Sequence, residues 1–146
     1  MNGPFTLRIA AVAFACLGLA ACAWGAAHPE GWTATSATSW SKDGQTYAVA
    51  SQAFDGTITD LANQETVDVL LRAKGAKFVR SDPYPDCPGL GALMTFRQTT
   101  AHGSFALLEA FVIRDSTATL ITYTRPATRA QDPAAMAAMR SAICHT

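Results

Sequence analysis

Residues 105–113, FALLEAFVI, constrain the fold of this chain more than any other stretch. Apolar side chains occupy both the odd-numbered and the even-numbered positions of the segment. The odd-numbered set is Phe105, Leu107, Phe111 and Ile113, and the even-numbered set is Ala106, Leu108, Ala110 and Val112. Successive side chains of a strand point to opposite faces of the sheet. A strand that is apolar on both faces lies inside a sheet that is covered on both sides. The sequence therefore predicts a central strand between two covering layers.

Other strands are predicted on either side of this one. Residues 32–40 and 45–54 form an N-terminal hairpin around the turn signal Asp43-Gly44. Further strands are expected at 76–80, at 92–99 and after Asp115-Ser116.

Trp32 and Trp40 are eight residues apart, so they share one face of a strand. Two aromatic rings on one face suggest either carbohydrate stacking or burial in the core. We favour burial.

Two helices complete the pattern. The first helix is predicted over residues 57–74, where Thr57 and Asp60 imitate a capping box. Its expected apolar face consists of Val67, Leu70 and Leu71, widened by Ala62, Val69 and Ala73. The second helix follows Asp132-Pro133, which supplies an N-cap and a first-turn proline. Its expected apolar stripe is Met136, Met139 and Ile143.

The predicted element order is β-β-α-β-β-β-β-α. This order indicates an α+β domain: an antiparallel sheet with one internal and one C-terminal helix, on opposite faces. The order, the first helix and the C-terminal helix after Asp132-Pro133 resemble the Mog1/PsbP-like α-β-α sandwich over most of residues 32–146. That group includes exported lipoproteins of unknown role, accessory proteins of photosystem assemblies and small-GTPase-binding modules. The resemblance carries no functional residue over to this chain.

Residues 9–21 are apolar and contain neither a charge nor a proline, and Arg8 precedes them. Their length matches the roughly 7–15 residues of a signal-peptide core and falls short of the ~20 that span a bilayer. The segment therefore predicts export.

The export segment ends in Leu19-Ala20-Ala21-Cys22, which resembles the lipobox of bacterial lipoproteins. The resemblance implies cleavage before Cys22, diacylation of that cysteine and anchoring in a membrane outside the cytoplasm, on a periplasmic or surface face. Residues 1–21 would then be the signal peptide, 22–31 a lipidated tether and 32–146 a single domain. Release before Trp24 or His28, giving a secreted protein, and an uncleaved anchor are the alternatives.

After processing, Cys87 and Cys144 are the cysteines that remain within the domain. An oxidising compartment favours a disulfide between them. The competing interpretation is a metal site made of this pair and His145, but the spacing typical of zinc ligands is missing.

Three prolines in residues 81–91 predict an irregular loop that Cys87 would hold in place. We expect an aromatic tip at Tyr84, followed by Pro85 and Asp86. This loop is a candidate contact surface.

Glu109 is the one charged residue within the predicted central strand. A buried carboxylate is costly unless it is paired, and Arg97 or Arg125 on neighbouring strands is the expected partner. Glu109 or His102 could instead serve a small secreted hydrolase. No phosphate loop, zinc spacing or nucleophile elbow accompanies them, so the sequence favours a binding role over catalysis and indicates no cofactor and no metal.

The chain carries 11 basic and 11 acidic residues, and loss of Arg8 with the signal leaves one acidic residue in excess. A nucleic-acid-binding protein would show a clustered basic patch. The expected partners are therefore the membrane, through the lipid on Cys22, and an envelope protein or a small ligand.

Overall fold

The computed structural model of the protein describes residues 27–145. The predicted signal peptide and the lipidation site at Cys22 lie outside these residues. Within the described range, none of the helices has the length and apolar character needed to cross a membrane.

One antiparallel sheet forms the centre of the molecule, with strand order β1-β2-β3-β7-β6-β5-β4. Helix α1 (Ile58–Arg72) connects β3 to β4, and helix α2 (Pro133–Cys144) follows β7. The predicted α+β fold with an internal and a C-terminal helix is confirmed. The seven strands are β1 Thr33–Ser36, β2 Ser39–Lys42, β3 Gln45–Ala53, β4 Ala76–Pro83, β5 Gly91–Thr100, β6 Gly103–Arg114 and β7 Thr117–Pro126.

Strand β6, which contains residues 105–113, lies between β5 and β7 and is covered on both faces as predicted. Leu107 and Phe111 pack in one buried cluster with Leu61 of α1. Leu108 and Ala110, on the other alternation, pack in a second cluster that includes the α2 residues Ala135, Ala138, Met139 and Ile143. The two helices therefore cover opposite faces, and the domain has three layers.

The N-terminal strand is divided, contrary to the prediction of one strand over 32–40. A turn separates β1 from β2 because the Ser36 hydroxyl accepts a hydrogen bond from the Thr38 N–H at 3.1 Å, a local bond that competes with strand pairing. Trp32 and Trp40 are both buried, and each packs its ring against Tyr47. Their predicted burial is confirmed.

The start of the described chain is packed on the domain, so the predicted tether over 22–31 is too long. The Ala27 carbonyl accepts a hydrogen bond from the Tyr47 hydroxyl at 3.4 Å. His28 stacks on Trp40 with ring centroids 5.5 Å apart, and Pro29 is fully buried. Apolar and aromatic contacts thus hold residues 27–32 against the sheet.

Strand β4 is longer than predicted and ends at Pro83, so residues 81–83 belong to the sheet. Proline is compatible with this position because β4 is an edge strand and its outer N–H groups need no ladder partner. The loop that remains covers residues 84–90. Strand β5 then begins at Gly91, where a Cβ atom would lie 2.7 Å from the Phe111 carbonyl oxygen.

Helix α1 begins with the predicted capping box between Thr57 and Asp60, but its predicted apolar face is wrong in part. Val67, Leu70 and Leu71 are exposed, Leu71 by 80%. The buried stripe is instead Leu61, Glu65 and Val69, flanked by the partly buried Ala62 and Ala73. Residues two positions from Val69 are rotated by about 200° around the helix, so Val67 and Leu71 point away from the sheet.

Helix α2 is fixed at both ends. The Asp132 carboxylate accepts hydrogen bonds from the Ala134 and Ala135 N–H groups at the N-terminus, as predicted for an N-cap. At the C-terminus, the Arg114 guanidinium donates to the carbonyls of Ala142 and Ile143, the latter at 2.7 Å. These bonds satisfy carbonyl groups that lack partners within the helix.

Candidate functional site

The candidate site is built around Glu109, at the middle of β6. It lies opposite Met94 of β5 and Thr122 of β7, on the sheet face that α1 covers. The residue is only 1% exposed. A carboxylate at such a position has lost its hydration and requires compensation from neighbouring groups.

Arg72, in the last turn of α1, provides that compensation. Its Nη2 atom donates to Glu109 Oε2 at 2.9 Å. The expected partners Arg97 and Arg125 were wrong for a geometric reason: both lie directly opposite Ala106. Ala106 is an odd number of residues from Glu109, so its neighbours project from the opposite face of the sheet.

A second buried carboxyl group, Glu65, completes the cluster and was missed by the sequence analysis. Glu65 is 5% exposed and lies 4.0 Å from Arg72 Nη2 at its Oε2 atom. A signal was present in the sequence, because Glu65 is four residues from both Leu61 and Val69 and therefore lies on the same stripe of the helix.

The electrostatics favour a proton on this pair of carboxyl groups. The pKa of Glu109 is raised to about 8, mainly because the group is buried and also through the hydrogen bond and the charge of Glu65, whereas Arg72 acts to lower this pKa. If both groups were ionised, neither could donate a hydrogen bond. Within residues 27–145, Glu109 Oε1 would then have no partner. One shared proton gives the two groups a hydrogen bond and removes the repulsion between like charges.

A cavity of about 190 Å³ adjoins Glu109 between the last turn of α1 and the sheet. Arg72, whose side chain is 57% exposed, forms the side of the cavity that reaches solvent. The walls are mainly apolar, with Glu109 as their carboxyl group. The remaining lining residues are Val69, Ala73, Phe96, Leu107 and Thr122.

This arrangement can hold a proton beside a small, mainly apolar cavity. Arg72 already neutralises part of the negative charge, which opposes the binding of a metal cation between the two carboxyl groups. Over the described residues, no three His, Cys, Asp or Glu side chains come together in a way that could hold a metal ion.

The predicted disulfide is present in the structure. Cys87 Sγ and Cys144 Sγ are 2.03 Å apart, and the bond joins the loop after β4 to the last residue of α2. Both thiols are consumed, so the alternative of a thiolate metal site with His145 is not compatible with this structure.

The candidate contact loop differs from the prediction at its aromatic residue. Tyr84 is not an exposed tip: it is 2% exposed and packs in the cluster that includes α2. Its N–H donates to the Gly91 carbonyl at 2.9 Å, which turns the loop back onto the sheet. Pro85 and Asp86 are exposed, and Asp86 forms a surface ion pair with Arg140 at 3.3 Å.

His102 lies in the exposed turn between β5 and β6. Glu109 follows His102 by seven chain steps, a distance of about 23 Å in extended geometry. The structure therefore does not bring these two hydrolase candidates together.

No protein-family model and no curated protein matches this sequence. Among solved structures, the chain is similar to a Pseudomonas aeruginosa protein described as PA94, a protein of unknown function and putative regulator, with a TM-score of 0.48 and 13% sequence identity. The match covers 57% of this chain and 59% of that one.

Proposed function

We propose that the protein is an exported lipoprotein whose domain is a binding module of the cell envelope. The lipobox-like sequence ending at Cys22 supports lipid anchoring. The disulfide between Cys87 and Cys144 supports a location outside the cytoplasm, because reducing systems keep cytosolic thiols free.

The packed N-terminal segment limits how far the domain could stand from a lipid attached to Cys22. Five chain steps separate Cys22 from Ala27, the first described residue. A fully extended chain of that length covers at most about 18 Å. The surface that carries Ala27, His28 and Trp40 would therefore face the bilayer at short range, and the α1 side of the sheet would be the side available to a ligand.

The single observation that supports a binding role is the cavity beside Glu109. It combines apolar walls with one buried carboxyl group, that of Glu109. Ligand sites commonly pair apolar walls with a few polar groups that fix the ligand's orientation. At about 190 Å³ the cavity is smaller than typical drug-sized sites, so it suits a small molecule.

The anchoring step is tested with two matched cysteine variants, Cys22→Ser and Cys16→Ser, in cells fed an alkyne-labelled fatty acid. Both substitutions change a cysteine near the end of the export segment, but only Cys22 is the proposed acyl acceptor. We expect labelling of the wild type and of Cys16→Ser, and none of Cys22→Ser. Equal labelling of all three, or absence of label from the wild type, would refute lipidation at Cys22.

The binding step is tested by closing the cavity. Val69 lines it and is 2% exposed, so Val69→Ile adds a methylene group where the cavity offers room. We expect small aromatic probes such as toluene to raise the melting temperature of the wild type and not that of Val69→Ile. An equal rise in both proteins would place the binding elsewhere and contradict the proposed site.

A further inference from the structure

Three basic residues lie in one line across the sheet. Lys77 of β4 is directly opposite Arg97 of β5, and Arg97 and Arg125 of β7 both lie opposite Ala106 of β6. Neighbouring strands are about 4.8 Å apart, so this basic row (Lys77, Arg97 and Arg125) spans about 14 Å at the level of the backbone. The three residues are distant in the sequence, and only the strand register brings them together.

The basic row lies on the α2 side of the sheet. Ala106 shares its face with Leu108, which packs in the cluster that includes α2. Lys77 and Arg97 are exposed and Arg125 is partly buried, so α2 leaves this end of the face open. A partner can therefore reach the basic row from solvent.

The charges of the basic row are not neutralised within the part of the chain that the structure describes. None of its three members forms an ion pair with an acidic side chain there. Arg125 donates to the Arg129 carbonyl, but its buried Nε atom has no hydrogen-bond partner among these residues. Like charges directly opposite each other destabilise a sheet, so an external anion beside Lys77 and Arg97 would stabilise it.

The N-terminal segment enters the domain on the same side of the sheet. Ala27 packs against the cluster that includes α2. Cys22 is five chain steps from Ala27 and therefore within about 18 Å of it. In the proposed lipoprotein, the face that carries the basic row is thus on the membrane side of the domain. Anionic lipid headgroups complement such a row, since each basic residue near an anionic bilayer strengthens association about fivefold.

We propose that the basic row docks the α2 side of the domain onto anionic phospholipid headgroups of the membrane that holds its lipid anchor. This docking rests on the proposed anchoring at Cys22. It gives the domain an orientation: the α2 side faces the bilayer, and the α1 side, with the cavity beside Glu109, faces away from it.

The experiment compares two lysines of the purified mature protein in the presence of two kinds of vesicle. One kind is phosphatidylcholine alone, and in the other about a third of the lipid is phosphatidylglycerol. Lys77 belongs to the basic row, whereas Lys74 is exposed in the turn after α1. The rate at which a water-soluble reagent acetylates each lysine is read by mass spectrometry of peptides.

We expect phosphatidylglycerol to slow the acetylation of Lys77 at least fivefold and that of Lys74 less than twofold. Salt at about 1 M shortens the screening length to about 3 Å and should remove the difference.

Two variants that each remove one positive charge test the basic row. Arg97→Gln removes its middle cation, and Lys74→Gln removes a cation outside it; both side chains are exposed. Each rate in anionic vesicles is divided by the rate of the same protein in neutral vesicles, so a change in the intrinsic reactivity of Lys77 cancels. We expect Arg97→Gln to reduce the protection of Lys77 at least threefold and Lys74→Gln to leave it unchanged.

Flotation with the vesicles separates this proposal from the lipid anchor on which it rests. Flotation with both kinds of vesicle, but with equal acetylation of Lys77 in both or protection of Lys74 instead, would overturn the docking and leave the anchor intact. Flotation with neither kind would overturn both. Flotation with the anionic vesicles alone, with Lys77 protected, would overturn the anchor and support the basic row. Tighter binding of a single-stranded oligonucleotide than of the anionic vesicles would overturn the membrane docking in favour of a nucleic acid.

Discussion

The buried carboxyl pair predicts an unusual dependence of stability on pH. The pKa of Glu109 is raised from an ordinary 4.5 to about 8 in the folded protein. Below pH 4.5 the group is protonated in both the folded and unfolded states, and its contribution to stability is fully present. Between pH 4.5 and 8 the unfolded chain releases the proton and the folded protein keeps it. The free energy of unfolding must therefore fall as the pH rises through this window.

The slope follows from the proton count. One proton held only by the folded state changes the free energy of unfolding by about 1.4 kcal/mol per pH unit. Over the whole window the loss is about 5 kcal/mol, a large part of the 5–15 kcal/mol of a typical domain. Ordinary carboxyl groups are already ionised in both states above pH 5.5, so they contribute little to this slope.

Urea unfolding at pH 5.5, 6.5 and 7.5 measures the effect. We expect the wild type to lose stability at each step and Glu109→Gln to vary by less than half as much, because its amide does not titrate. Asp68→Asn is the control, since it removes a charge from α1 but retains the buried pair, and its slope should persist. A wild type that is equally stable at pH 5.5 and 7.5, or a Glu109→Gln variant with an unchanged slope, would refute the shared proton.

Three further predictions concern stability and are checked by urea unfolding at pH 5.5. Val69→Ile fills the cavity and should raise the free energy of unfolding by about 0.8 kcal/mol for the added methylene. Val112→Ile is equally buried, in the α2-side cluster, and should lower the free energy of unfolding by about 1–3 kcal/mol through overpacking. A loss in both variants would argue against the cavity. Cys87→Ser and Cys144→Ser should each lower the free energy of unfolding by about 4 kcal/mol, because the disulfide closes a loop with a sequence separation of 57 residues. The double variant should lose no more stability than either single variant, and additive losses would contradict the bond. Asp132→Ala removes the N-cap of α2 and should lower the free energy of unfolding by about 1 kcal/mol. An unchanged urea midpoint would show that the cap contributes nothing to stability.

The sequence was most informative where a local rule and the tertiary packing agree. Residues 105–113 predicted a strand covered on both faces, and β6 is such a strand. The prediction succeeded because apolar side chains occupy both the odd-numbered and the even-numbered positions of this segment. Asp132-Pro133 predicted the start of α2 for a similar reason: the cap needs only the next three residues of the chain.

Long-range packing decided the features that the sequence analysis missed. Several faces of α1 carry apolar residues, and only its position over the sheet buries Val69 and leaves Leu71 exposed. The same packing brings Glu65 and Arg72 to Glu109. Tyr84 is buried because the loop folds back onto the sheet, a contact that no pattern within residues 81–91 specifies.

The proposed lipid anchor at Cys22 is best examined through the intact mass of the N-terminal peptide of the mature protein, isolated from the membrane fraction. We expect a peptide that begins at Cys22 and carries the added mass of acyl chains. An unmodified peptide that begins at Trp24 or His28, found in the soluble fraction, would contradict it.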